Sequence, residues 1–586
     1  MIFGKHINRY YLRYMGWFLL GMVSLFAVDY CQMVIPKLYR MVINGMNTGF
    51  VDGSTPFTMD ILLDRVCMPL LIVILTMVVG RFLWRVCFFG SAIKVEKNLR
   101  DRMFDQARHL SREYYQVNKV GDLMSLFTND LDTVQECVGW GIMMLCDALL
   151  MGTLAVYNMW QMDHFLTILA LIPMGLLMAA STVLGKYMTR KWDERQEAFS
   201  RLSDFSQESF SGIAVIKAFV KEAKELMAFR KLNVENEKAN IDFTRTAVLM
   251  RILVTFFVET VICVILGYGG WLVYVGRFDA GMLIEFLSYF TSIVWPIMAV
   301  AELIDMTSRG TASLKRVGEL LDAEVTVKDA EDVKPLPSIK GGVEFRNLTF
   351  RYPGADYNAL EDVSFTIQPG ESVGLVGKTG SGKTTLVDLL LRTYNVPDGT
   401  IFIDGHDVNT VPIQDVRAGC AYVPQDNFLF SDTIANNIAF ASDHDHRESI
   451  IRAAKLADVD DNISEFQLGY ETVLGERGVT VSGGQKQRIS IARALMKEAP
   501  ILILDDSVSA VDTKTETAIL QNLRDTRQGL TTILIAHRIS TIEKMDKILF
   551  VEEGRMAGVG THEELYETNP AYRKMVDLQK LEEEGV

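Results

Sequence analysis

Six apolar stretches, each long enough to span a bilayer as a helix, crowd the first half of this sequence at about residues 14–35, 68–90, 140–160, 165–188, 247–275 and 282–303. A helix needs about 20 mostly apolar residues to cross the hydrocarbon core. There every backbone polar group must be bonded within the segment, so a run of that kind has little choice but to be helical. The six runs therefore predict a transmembrane helical domain. Lys5, Arg9 and Arg13 precede the first run in the manner of a secretory leader. No convincing small-residue cleavage site follows, and five more runs come after it, so it reads as a retained span. The skew in composition agrees: 49% of the residues are hydrophobic and the mean hydropathy is +0.16. The excess lies before about Gly341, after which the pattern turns to short strands and helices.

Basic residues orient the spans. Lys94, Lys97, Arg100, Arg102, Arg108, Arg112 and Lys119 lie between the second and third runs. Lys186, Arg190, Lys191, Arg195, Arg201 and Lys217 lie between the fourth and fifth. Positive charge collects on the cytoplasmic side, so both stretches, the N-terminus and the second half of the chain are expected there. The external loops at 161–164 and 276–281 are then only a few residues long. The two cytoplasmic stretches carry apolar residues at three- and four-residue spacing among charges, with few prolines. They are expected to continue the spans as helices into the cytosol, with short connecting helices at their tips.

Charge inside a membrane span is costly and invites a functional reading. Asp29, Arg81, Arg85, Asp147, Arg251, Glu259 and Glu285 are such residues. Acidic groups among them would suit binding of organic cations; mutual pairing or a place near a helix end would account for them equally. The abundant Met and aromatic residues suit an adaptable cavity and also ordinary lipid-facing packing. A net charge of −14 excludes nucleic acid as partner, since duplex binding needs a basic surface. The seven cysteines are scattered and include no CxxC pair, so no disulfide framework or metal site is expected. The Asp443-His444-Asp445-His446 cluster reads as a solvated loop.

In the second half, ESVGLVGKTGSGKTTLVDLL reads as apolar strand, glycine loop and helix. Its Gly377, Lys378, Thr379, Gly380, Ser381, Gly382, Lys383 and Thr384 fit GxxxxGK[ST], with Thr385 following. Glycines let successive backbone N–H groups curl round a phosphate, and the helix N-terminus adds its dipole. Lys383 is expected on the β- and γ-phosphates of ATP and the Thr384 hydroxyl on Mg²⁺. Residues 501–504 form an uninterrupted apolar strand ending in Asp505, whose carboxylate would hold the Mg²⁺ shell.

These companions carry a resemblance. Val481-Ser482-Gly483-Gly484-Gln485, between the phosphate loop and the Asp505 strand, closely resembles the LSGGQ signature of ABC proteins, with Val for the usual Leu. Tyr352 stands where the family stacks an aromatic ring on adenine. Gln425 in YVPQDNFLF, Asp512 in SAVDT and His537 after an apolar strand match its Q-loop, which also reaches the metal, its D-loop and its switch histidine. The strings at 114–134 and 208–222 resemble the cytoplasmic extensions of MsbA-like multidrug exporters. The resemblance covers essentially the whole chain. It implies a six-span α-helical transmembrane domain with cytoplasmic extensions at 1–321, a linker at 322–340 and an α/β P-loop nucleotide-binding domain at 341–586. It also implies ATP-driven transport in a cytoplasmic membrane, bacterial by its compactness, and two cassettes meeting head to tail. Each ATP then lies between one chain's phosphate loop and the other's signature, so the chain needs a second half-transporter besides membrane lipid and a small-molecule substrate.

One position departs from that pattern. The family carries a glutamate after the Asp505 position to orient and deprotonate the attacking water; here it is Asp506, one methylene shorter. General-base assistance depends on hydrogen-bond reach and is typically worth about 10²–10⁴-fold. Slow hydrolysis is therefore expected at the site this chain's phosphate loop builds, and with it a distinct, glutamate-bearing partner. Efflux of small amphipathic molecules is the leading reading. Lipid or peptide export, import on the same fold, and an ATP-gated regulatory or channel subunit are the alternatives.

Overall fold

The computed structural model describes every residue except 1–2, 52–54, 337, 443–445, 476–477, 479–480, 510 and 584–586. The acidic and histidine cluster at 443–446 thus lies outside the described residues but for His446. The chain divides into two compact units. The first comprises Met1–Arg108 and Val120–Ala323, the second His109–Lys119 and Glu324–Val586.

The first unit is helical. All six apolar stretches fall inside helices long and apolar enough to cross a membrane: Met15–Thr48, Met59–His109, Val120–Met162, His164–Ser211, Glu222–Tyr274 and Ala280–Leu321. The longest has 53 residues, about 80 Å at helical rise, far more than the roughly 30 Å hydrocarbon core requires. The remainder is charged and extends beyond it. The breaks before the fourth and sixth spans rest on aspartates. Asp163 leaves helical geometry and accepts the Leu166 N–H at 2.7 Å. Asp279 does the same for Met282 at 2.6 Å. A carboxylate that takes an otherwise unbonded N–H is the usual start signal of a helix. Leu166, Val261, Ile265, Phe286, Tyr289 and Phe290 are fully buried together in one apolar core.

The charged residues within the spans have different fates. Glu285 is buried, receives the Tyr289 hydroxyl at 3.0 Å and pairs with Arg40 at 3.4 Å. The pairing account holds for it. The Arg85 guanidinium lies over the Trp84 ring, and Arg251 and Glu259 are exposed on the fifth helix. Asp29 is 2% exposed, and Asp147 accepts the Trp295 indole N–H at 2.7 Å.

The second unit holds two sheets. The smaller is antiparallel, in the order β2-β1-β4-β5, from β1 (Val343–Phe350), β2 (Leu360–Ile367), β4 (Ile401–Ile403) and β5 (His406–Asp407). The larger comprises β3 (Ser372–Val376), β6 (Cys420–Val423), β7 (Ile501–Asp505), β8 (Thr531–Ile535), β9 (Lys547–Glu552) and β10 (Arg555–Gly560), in the order β10-β9-β3-β8-β7-β6. It is parallel except for the β9–β10 hairpin. Every residue of β7 and β8 is buried, as expected of strands covered on both faces. Alternation sorts them: Leu502, Leu504 and Leu534 enter one apolar core, and Ile501, Ile503, Ile533 and Ile535 the other. The carboxyl ends of β3, β7 and β8 therefore open at one edge, where open α/β sheets bind ligands.

Candidate nucleotide site

β3 ends at Val376, and the glycine loop turns directly into the helix Lys383–Leu390. Two glycines are required by the geometry. A Cβ on Gly377 would lie 2.1 Å from the Val551 carbonyl oxygen. Gly382 takes φ +101° at the helix N-cap, and a Cβ there would stand 2.7 Å from Leu360. No other residue allows both the close approach and the left-handed turn.

The Lys383 side chain is buried. Its ammonium folds back onto the loop and donates to the Gly377 carbonyl at 2.8 Å and the Lys378 carbonyl at 2.9 Å. Burial lowers its pKa, and the nearby Asp505 and Asp506 carboxylates oppose that shift. Asp505, at the end of β7, is 2% exposed. Burial raises its pKa, against a hydrogen bond from Thr384, with Asp506 and Asp388 adding to the rise. The Tyr422 hydroxyl lies 3.4 Å from it. A carboxyl pushed up by burial beside a hydroxyl is a site where added positive charge would be welcome. The Ser381 hydroxyl is buried with no partner, an orphan that a phosphate oxygen would satisfy. The donors and the glycine cradle fit a nucleoside triphosphate.

A cleft of about 460 Å³ opens at this edge. Of the residues singled out in the sequence, it gathers Tyr352, Thr379, Gly380, Gly382, Lys383, Thr384, Thr385, Gln425, Asp505 and His537. The Tyr352 hydroxyl shares a hydrogen bond with Thr385 at 2.9 Å, and its ring meets Phe350 and Tyr394 edge to face. That anchors the ring at the cleft wall. Gly377 and Ser381 lie buried behind the cleft surface, and Lys378 is exposed, its ammonium 3.6 Å from the Glu552 carboxylate.

Asp506 does not line the cleft. It sits at φ +47°, a conformation aspartate tolerates better than most residues. Its N–H donates to the Ile535 carbonyl at 3.0 Å and its own carbonyl receives the Ser509 hydroxyl at 2.9 Å. The signature residues also stand apart. Ser482 and Gly483 are exposed at the start of the helix Gly483–Met496. There Ser482 and Gln485 form a reciprocal cap: the Ser482 hydroxyl accepts the Gln485 N–H at 3.3 Å, and Gln485 Oε1 accepts the Ser482 N–H at 3.0 Å. Asp512 caps the helix Thr513–Thr526, accepting the Lys514 and Thr515 N–H groups at 3.1 Å each.

Several participants escaped the sequence reading. Tyr357 and Asn358, from the connection between β1 and β2, and Glu553 and Gly554, from the β9–β10 turn, line the cleft; that turn folds over the loop, with the Gly554 N–H donating to the Ser381 carbonyl at 3.2 Å. Gln579, on the helix Pro570–Glu583, holds the His537 backbone. Neither carries a motif; only tertiary contact reveals them.

Known proteins share both halves. Residues 18–297 match the family model described as the ABC transporter transmembrane region, and residues 360–509 match that described as ABC transporter. The "Probable multidrug resistance ABC transporter ATP-binding/permease protein YheI" of Bacillus subtilis is 37% identical over 99% of this chain and 97% of its own length. The "Multidrug resistance-like ATP-binding protein MdlA" of Escherichia coli is 35% identical over 98% and 96%. An "ATP-dependent lipid A-core flippase" of Syntrophus aciditrophicus is 34% identical over 89% and 87%. Among solved structures, a bacterial Atm1-family ABC exporter with ATP bound superposes with a TM-score of 0.76 at 26% identity, covering 98% of each chain. The six-helix unit, the nucleotide cleft and these likenesses together establish that the chain belongs to the ABC transporter family, as an integral membrane protein of the exporter fold that couples ATP hydrolysis to transport.

Proposed function

We propose that this chain is one half of an exporter for small amphipathic molecules, working with a second, glutamate-bearing half-transporter, with its N-terminus and nucleotide-binding unit in the cytoplasm. The observation that carries the two-chain reading is the separation within one chain of Ser482 and Gly483 from the cleft that gathers Lys383, Thr384 and Asp505. An exposed, capped helix N-terminus is a ready anion site, and here it serves the phosphates held by the other chain. In this chain's own site Thr384, Asp505 and Gln425 would hold Mg²⁺, and Lys383 the terminal phosphates. Bound there, the metal neutralises phosphate charge and orients the triphosphate. Asp506 stands at the sequence position from which the family's glutamate takes a proton from water, and its short stem keeps it back from that role. His537 orients the terminal phosphate from the end of β8. The site then binds ATP more than it turns it over, and the productive hydrolysis falls to the site completed by this chain's Ser482–Gln485.

Two relatives bear multidrug resistance in their names, which supports amphipathic efflux. The likeness to a lipid A-core flippase favours a second reading, lipid export. Affinity purification from the native membrane, with identification of any co-purifying chain of similar size, tests the partnership. ATP-dependent accumulation of amphipathic dyes, against labelled lipid, in inverted vesicles tests the cargo. A vigorously hydrolysing and transporting homodimer would refute the division of labour.

A further inference from the structure

Glu516 stands in the first turn of the helix Thr513–Thr526 and is 7% exposed. Ile519, Leu520 and Leu523 of that helix enter the apolar core, and so do Ile539 and Ile542 of the short helix Ile539–Ile542. The carboxylate ties the two helices together. Its Oε1 accepts the Thr541 hydroxyl at 2.5 Å, and its Oε2 lies 3.9 Å from the Arg538 guanidinium. Thr541 is itself 3% exposed. Gln579, from a third helix, holds the same stretch by its backbone at His537 and Ile539.

Burying a carboxylate is costly, and an apolar side chain of similar size would fill this place at less expense. What the carboxylate adds is direction, because its bonds fix Arg538 and Thr541 at set distances and angles as apolar contact does not. The residue held next to them is His537, which lines the nucleotide cleft with Lys383, Thr384 and Asp505. It lies two residues beyond β8. The Ala536 N–H still bonds the Leu375 carbonyl at 3.2 Å, and from His537 onward the chain is held by Gln579 and Glu516.

We propose that Glu516 is a positioning residue for nucleotide recognition, which by gripping Arg538 and Thr541 aims the His537 imidazole at the terminal phosphate of ATP. Glu516 acts through His537 and not by touching the nucleotide. This deepens the reading of the nucleotide site and rests on it, since the histidine must meet that phosphate for its aim to matter. ADP lacks the terminal phosphate, so loss of the grip weakens the triphosphate and spares the diphosphate.

The test uses the full chain in lipid nanodiscs with whatever partner co-purifies. Photolabelling by 8-azido-ADP reports on this chain's own cleft, because its Tyr352 stands at the base end. Displacement of the label by ADP and by the nonhydrolysable triphosphate AMP-PNP gives the two affinities. His537→Ala and Glu516→Ala should each weaken AMP-PNP by about tenfold, the lower end for a bond to a charged group, and leave ADP within about twofold. The double variant should bind AMP-PNP no more weakly than His537→Ala alone, since both act through one contact. Thr541→Val, close in shape, breaks the same bond from the other side and should reproduce the loss if Glu516→Ala does not fold. Equal weakening of ADP and AMP-PNP in the Glu516 and Thr541 variants would make the bond merely structural and overturn the proposal. AMP-PNP affinity kept in those variants but lost in His537→Ala would overturn it too, with the histidine's role intact. Affinity unchanged in His537→Ala refutes the contact between histidine and terminal phosphate, and the role of Glu516 with it.

Discussion

Gln579 clasps the backbone on both sides of Arg538: its side-chain amide donates to the His537 carbonyl at 2.7 Å, and its Oε1 accepts the Ile539 N–H at 2.8 Å. The C-terminal helix thereby sets the position of the histidine at the end of β8. Each such bond has a net worth of about 1 kcal/mol. Gln579→Ala should speed hydrogen exchange at the Ile539 amide by about fivefold, read by mass spectrometry of the peptide covering 537–542. Unchanged exchange would mean the clasp holds nothing in place.

Asp506 governs turnover at this chain's own phosphate loop. Asp506→Glu should raise the single-turnover hydrolysis rate there by about 10²-fold, the lower end of the range for general-base assistance. It should do so despite a small strain cost, since a longer side chain is less at ease at φ +47°. Asp506→Asn should leave most ATPase activity in place. Radiolabelled ATP in single-turnover format resolves the two sites, and equal rates at both would return Asp506 to a tolerated substitution.

Lys383 donates to two loop carbonyls, and these contacts must yield when a triphosphate enters. Lys383→Ala removes a charge-assisted contact worth about 1.5–3 kcal/mol, so ATP affinity at this site should fall by roughly 10- to 150-fold. Binding of a fluorescent ATP analogue measures it. Transport should fall as well, even though little hydrolysis is assigned to this site.

The guanidinium of Arg112 meets the buried Asp388 carboxylate at 2.5 Å, within the second unit. Burial raises the Asp388 pKa, and Arg112 works against that rise. Arg112→Ala therefore lifts it further. A carboxyl raised in the folded state favours its protonated form there, so the cost of ionising it grows as pH climbs from the unfolded value of about 4 through the folded one. The variant should be nearly as stable as the parent near pH 4.5 and less stable by about 1–2 kcal/mol at pH 7.5. That is a discounted figure for breaking a buried pair, because Arg112 is half exposed. Adding Asp388→Asn should remove the pH dependence. Thermal unfolding at the two pH values, for single and double variants, supplies the cycle.

The sequence alone determined the six helices, because a bilayer leaves a long apolar run no other way to satisfy its backbone. It also determined the nucleotide loop, because curling successive N–H groups round a phosphate calls for a glycine-rich turn and a lysine at the helix start. Both constraints are local, so they can be read from a single stretch of chain. Tertiary structure decided the rest. Asp29, Asp147, Glu285 and Arg40 look alike as charges within or beside apolar runs. Which of them pair depends on which helix faces meet, and no spacing along the chain records that. Glu553 and Gly554 reach the cleft because β9 lies beside β3 in the sheet, and Gln579 reaches His537 from a helix some forty residues on. Such contacts are fixed by packing across the core, where distance in space and distance along the chain part company.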